Sequence, residues 1–192
     1  MKKKITLMMA AVFMFSSLGT VSAATARTTA TTTSTAPATA TATATATQQS
    51  LTAKQQKLIQ VGKTQLGVPW KYGTKKPGVG FDCSNFTSWV YEKALGIKFT
   101  SSSRKQRYTT SLGTPVPIDK NNKFKNLQVG DLLFFANSAD AGGGGHVGIY
   151  AGVKNGKHYV LQEGGGRGKV TYEPMEGTWF ASKLVYAKRI IK

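Results

Sequence analysis

Between residues 51 and 192 the apolar side chains change period once, and that change restricts the fold more than any other feature. In the first half they recur in helical steps. Leu51, Leu58, Ile59 and Leu66 fall near one face of a helix capped by Ser50 or Thr52 and ended by Gly67. Gly67-Val68-Pro69 stops helical geometry, and residues 70–80, rich in Gly, Lys and Pro, read as a loop. A second helix begins at Cys83 behind the cap residue Asp82. Phe86, Trp89, Val90 and Ala94 form its buried stripe, and Gly96 is its C-cap. Ser101-Ser102-Ser103 starts a short third helix toward Tyr108. From Leu127 the pattern becomes that of strands: Leu132-Leu133-Phe134-Phe135, then 146–150 and 158–162, joined through the hairpin signal Asn155-Gly156. Residues 170–172 and 184–191 close the sheet. Helices followed by antiparallel strands predict an α+β domain, with about five or six strands.

The first 50 residues do not share this organisation. Lys2, Lys3 and Lys4, an apolar run from Ile5 to Phe15, and Val21-Ser22-Ala23 have the layout of a secretory signal peptide over 1–23. The apolar run is shorter than the roughly 20 residues of a membrane span, so no stable membrane insertion is expected after cleavage. No Cys follows the run, which argues against lipoprotein attachment. Residues 24–50 are almost all Thr and Ala and contain no Leu, Ile, Val or aromatic residue. They bury too little apolar area to offset the entropy of ordering, and predict a disordered linker. Residues 51–192 are one domain's length and suffice for a core without disulfides. The chain has a single Cys, so no intramolecular bridge forms, and an exported protein with one leftover thiol suggests a reactive group. With 26 Lys and Arg against 8 Asp and Glu, the formal net charge is +18. Outside a cell such a charge suits anionic wall polymers or simply a solvated surface. No nucleic-acid motif is present, and nucleic acid is not an expected partner.

Cys83 is the candidate nucleophile. At the first turn of a helix, unpaired N–H groups and the helix dipole favour a thiolate and offer donors to a developing oxyanion. A thiolate needs a proton acceptor that later protonates the leaving amine. His146 follows four glycines and opens a strand, so it is the better base; His158 beside the hairpin turn reads as a surface residue. A third group that orients the imidazole is expected on the next strand. Gln162 and Glu163 are the candidates, and strand alternation allows only one of them on His146's face. A strict two-residue turn at Asn155-Gly156 selects Glu163; one bulge residue selects Gln162. The Cys and His spacings fit no zinc motif, so neither a metal nor a cofactor is expected.

Together these residues resemble the NlpC-type family of papain-like cell-wall cysteine peptidases. The resemblance runs from about Gly67 to Arg189 through four ordered pieces: Gly67-Val68-Pro69 with Tyr72-Gly73, Gly80-Phe81-Asp82-Cys83-Ser84, Val129-Gly130-Asp131-Leu132-Leu133-Phe134-Phe135, and Gly145-His146-Val147-Gly148-Ile149-Tyr150. It implies a papain-like α+β fold and hydrolysis of peptidoglycan stem peptides, typically between γ-D-glutamate and a diamino acid. It implies Gln162 as the third polar residue, and Asp82 and Ser84 as holders of a free amine of the substrate. Trp70 stands where the family commonly has a substrate-contacting Tyr, with Tyr72 nearby; Asn85 replaces a small Gly; and the hairpin between His146 and Gln162 is longer than usual. The competing expectations are a non-catalytic wall-binding module, and an amidase or transpeptidase on the same scaffold.

Overall fold

A computed structural model describes residues 38–137, 140–164 and 166–192. The expected leader and the spacer as far as residue 37 lie outside the described residues. Helix α1 (Ala38–Lys63) begins before the expected cap at Ser50 or Thr52, so residues 38–50, read as disordered linker, have a helical backbone. Alternate alanines, the strongest helix formers, extend the helix into a segment with no apolar face. α1 packs through Leu58 and Ile59, both buried. Gly62 lets it approach the sheet: a Cβ there would lie 2.4 Å from Leu161 Cδ2. Leu66, expected on the same face, is 49% exposed, because the helix stops at Lys63 and a tight turn carries the chain away.

The loop after it holds a small hairpin, β1 (Lys75–Lys76) and β2 (Gly80–Phe81), which feeds into α2 (Cys83–Leu95). α2 keeps the predicted bounds. The Asn85 N–H donates to the Asp82 side chain, and the Gly96 N–H donates to the Glu92 carbonyl. Phe86, Val90 and Ala94 are buried as the stripe predicts; Trp89 is only partly covered, and Tyr91 is fully buried with its hydroxyl donating to the Gly130 carbonyl. The short helix α3 (Ser103–Tyr108) is capped by Ser102.

Strands β3 (Thr114–Val116), β4 (Leu132–Phe135), β5 (His146–Lys154), β6 (Lys157–Glu163), β7 (Val170–Pro174) and β8 (Leu184–Arg189) form one antiparallel sheet in the order β3-β8-β4-β5-β6-β7. A last short helix, α4 (Trp179–Lys183), precedes β8. β4 lies inside the sheet with both faces covered. Leu132 and Phe134 join the core with Phe86, Val90, Ile149 and Leu161, while Leu133 and Phe135 join Tyr150, Val160, Met175 and Phe180 on the other side. That is why it reads as an unbroken apolar run rather than an alternating one. Each such side chain contributes about 1.5–3 kcal/mol on burial. β3 and α4 carry no sequence signal of their own, being short and half polar. Among the described residues no helix is long and apolar enough to cross a membrane.

The β5–β6 hairpin fixes the register on which the site depends. Its turn is the strict two-residue type, with Asn155 at φ 52° and Gly156 at φ 73° between paired Lys154 and Lys157. Both positive φ values fit the right-handed twist of the flanking strands. One extra residue, Ala151, then bulges between Tyr150 and Gly152, so that Gly148 pairs with Gln162.

Candidate active site

Asp82 braces the start of α2. Its Oδ1 accepts hydrogen bonds from the Asn85 N–H at 2.8 Å and the Ser84 hydroxyl at 3.0 Å. Its Oδ2 accepts from the Gly73 N–H and from Asn85 Nδ2, each at 2.8 Å. Asn85, one of the departures from the family pattern, therefore ties the carboxylate down. Ser84 Oγ also lies 2.6 Å from the Ser101 carbonyl, joining α2 to the approach of α3. Asp82 thus acts as helix cap with both of its carboxylate oxygens hydrogen-bonded.

This brace places Cys83 in a cleft of about 460 Å³, which His146, Trp70, Tyr72, Ser84 and Glu163 also line. The backbone N–H groups of Val147, the residue after His146, of Ser84 and of Cys83 itself lie where they favour the sulfur's anion. Burial nevertheless dominates: it pushes the thiol up to about 11, Asp82's charge adding to the rise and the N–H donors opposing it. This direction runs against the thiolate expected from the helix start. The helix start and the Val147 N–H do not outweigh desolvation here.

His146 is 7% exposed, with Phe135, Trp179 and Phe180 around its ring. Burial pulls its imidazole down to about 4, against the raising effect of Gln162. Its Nε2 lies 3.1 Å from Gln162 Oε1. The amide orientation follows from its other end, where Gln162 Nε2 donates to Thr171 Oγ1 at 2.6 Å, the Gly164 carbonyl at 3.3 Å and Glu173 Oε1 at 3.3 Å. With the carbonyl end facing the ring, Nε2 must carry the proton, and Nδ1 keeps its lone pair as the base. Behind the amide, Glu173 is paired with Arg167 at 3.0 Å. Thr171 and Glu173 were not singled out from the sequence; their position on the neighbouring strand is the signal that finds them.

The bulge at Ala151 places Gln162 on His146's face of the sheet. Glu163 points to the opposite face, the one covered by α2, and reaches the same cleft from there. Trp70 and Tyr72 form its outer wall, ring centres 6.4 Å apart, Tyr72 being 85% exposed. Asp82, Asn85, Arg104 and Gly164 are also among the lining residues. His158 is half-buried rather than a free surface residue: Nδ1 lies 2.5 Å from the Tyr150 hydroxyl and its ring stacks on Phe124. It is not among the residues lining the cleft. Among the described residues no group of three His, Cys, Asp or Glu side chains is placed to hold a metal. A larger groove, about 550 Å³, lies beside β3 and Arg189, but neither Cys nor His lines it.

Residues 67–189 match the NlpC/P60 family, well over half of the chain. The chain belongs to the NlpC/P60 family. Its domain is similar to a γ-DL-glutamyl hydrolase of Bacillus subtilis, 29% identical over 132 residues, which are 69% of this chain and 28% of that protein. It is 40% identical over 99 residues to a γ-D-glutamyl-L-lysine dipeptidyl-peptidase of Bacillus cereus, covering 51% of this chain and 26% of that one. Among solved structures it resembles the peptidoglycan hydrolase RipB of Mycobacterium tuberculosis, with a TM-score of 0.55 and 27% identity, covering 74% of this chain and 67% of that one. The chain spans about a quarter of the length of these two curated relatives. The papain-like α+β arrangement expected of an NlpC/P60 domain is what the helices and six-stranded sheet display.

Proposed function

We propose that this NlpC/P60 domain is a cysteine peptidase that hydrolyses amide bonds in peptidoglycan stem peptides, between γ-D-glutamate and the diamino acid. One observation carries the reading: Cys83 at the start of α2 lines the same cleft as His146, whose Nε2 is held by Gln162. The relatives named for γ-glutamyl bonds support the choice of bond.

The chemistry starts from a neutral pair. As the sulfur attacks the substrate carbonyl, its proton passes to His146 Nδ1, so that no free thiolate accumulates. N–H groups at the start of α2 stabilise the oxyanion of the tetrahedral intermediate. Collapse expels the amine, which takes the proton back from His146, and leaves a thioester on Cys83. Water, deprotonated by His146, then releases the glutamyl acid and restores the thiol. Gln162 accepts from Nε2–H throughout and keeps the ring aligned.

Export through residues 1–23, action outside the cell and attraction of the positive surface to anionic wall polymers are part of the same proposal. They rest on the leader's composition and the net charge of +18. The test is digestion of purified sacculi by the wild type and by Cys83→Ala, with products identified by mass. Release of fragments ending in γ-D-glutamate by the wild type alone is expected. Equal release by both proteins contradicts the proposal, and binding without release by either leaves a wall-binding module instead.

A further inference from the structure

Glu163 is a cleft residue that the mechanism above does not use. Glu163 ends β6, its side chain is fully buried, and neither carboxyl oxygen has a hydrogen-bond partner among the described residues. It lines the same cleft as Cys83 and His146. An unpartnered buried carboxyl group is costly and calls for a ligand or a proton. The groups sharing the cleft with it are Tyr72, Asp82, Cys83, His146 and Arg104. Arg104 is already engaged with Asp140 at 2.6 Å, and Asp82 is of like charge with both oxygens already hydrogen-bonded. The cleft therefore contains two carboxyl groups and no free cation from the protein, in a chain with a large excess of basic residues.

We propose that Glu163 is a specificity-determining residue that binds a primary ammonium group of the substrate. The assignment rests on the peptidase reading, and it gives the amine-holding role to Glu163 rather than to Asp82 and Ser84 alone. A neutral donor would give the buried carboxyl group no reason to ionise beside Asp82; an ammonium ion compensates the charge and supplies three donors. Burial, with Asp82's charge adding to it, holds the empty Glu163 carboxyl up at about 8, so an incoming ammonium displaces a proton at neutral pH. The ammonium has two sources in a stem peptide: the N-terminal amine of a peptide detached from its glycan, and the side-chain amine of the diamino acid.

The experiment titrates the Cys83→Ala protein, which binds without turnover, with the soluble peptide L-alanyl-γ-D-glutamyl-lysine. The same peptide acetylated at its N-terminus, or at the lysine side chain, forms the comparison. Loss of one charged hydrogen-bonded contact is expected to weaken binding roughly ten- to a hundredfold for one of the two acetylated peptides, which identifies the source. In Cys83→Ala with Glu163→Gln that difference shrinks to near unity. A second arm needs no change at position 163: calorimetry at pH 7 in buffers of different ionisation enthalpy is expected to show proton release with the amine-bearing peptide, and less with the acetylated one. Equal affinity for all three peptides, an acetylation effect that persists with Glu163→Gln, or binding without proton release overturns the assignment. Sacculus digestion by the wild type is unaffected by any of these outcomes and reports separately on the peptidase reading.

Discussion

Cys83 shows how two local effects compete at one atom. Three backbone N–H groups favour the sulfur anion, yet burial wins and the thiol stands near 11. The imidazole, near 4, is displaced in the opposite sense by the same cause. Both shifts favour the neutral pair. Alkylation of Cys83 by iodoacetamide is therefore expected to be slow at pH 7 and to accelerate steadily up to pH 10, as the thiolate fraction grows. A rate already at its plateau between pH 5 and 8 marks a preformed ion pair and contradicts this balance. The placement of Cys83 at a helix start, of His146 at a strand start and of Asp82 as the helix cap was legible in the sequence because each follows from its immediate neighbours: a cap before a helix, a glycine run before a strand. The upward shift of the thiol was not, since desolvation depends on what the rest of the chain lays over it. Glu163 was weighed from the sequence only as an alternative to Gln162. Its burial against α2 is a tertiary fact with no local trace.

At the scale of elements, the β5–β6 hairpin decides the site. The strict Asn155-Gly156 turn alone would have set Glu163 opposite Gly148; the bulge at Ala151 moves the pairing by one residue and sets Gln162 there. Sequence makes the turn legible, because only certain residues accept positive φ, but an alanine bulge has no signature. Gly148 serves this pairing. A Cβ there would lie 2.9 Å from Val160 Cγ2 and 3.0 Å from Gln162 Cβ, so the absent side chain makes room for Gln162 rather than for the imidazole. Gly148→Ala is expected to shift Gln162, loosen its bond to His146 and lower kcat roughly tenfold or more, since misplacements of an ångström cost that order. KM changes much less. Steady-state kinetics on a γ-glutamyl peptide checks it, with circular dichroism confirming the fold; an unchanged kcat shows that Gln162 does not position the ring. The other strands follow the same division. β4 was read correctly from its own four residues, while β3 depends on pairing with β8 across the chain and has no hydrophobic run to announce it.

For the molecule as a whole, the α+β class followed from the single change of apolar period, and the order of strands did not, because it rests on long-range pairs. The net charge of +18 is a property of the whole surface rather than of the cleft, where carboxyl groups prevail. Charge of this kind attracts polyanions over a screening length of about 10 Å at 0.1 M salt. Association of the Cys83→Ala protein with purified sacculi is expected to fall steeply between 50 mM and 500 mM NaCl in a pelleting assay. Retention that does not change with salt assigns wall binding to short-range contacts instead.

The account stands on acyl transfer to one sulfur. Wild-type protein mixed with a γ-glutamyl stem peptide and quenched in acid within the first turnover, then weighed intact and mapped by fragmentation, is predicted to carry the acyl part of the peptide as a thioester on Cys83. Full hydrolytic activity retained by Cys83→Ala, or an acyl group found on any other residue, contradicts it.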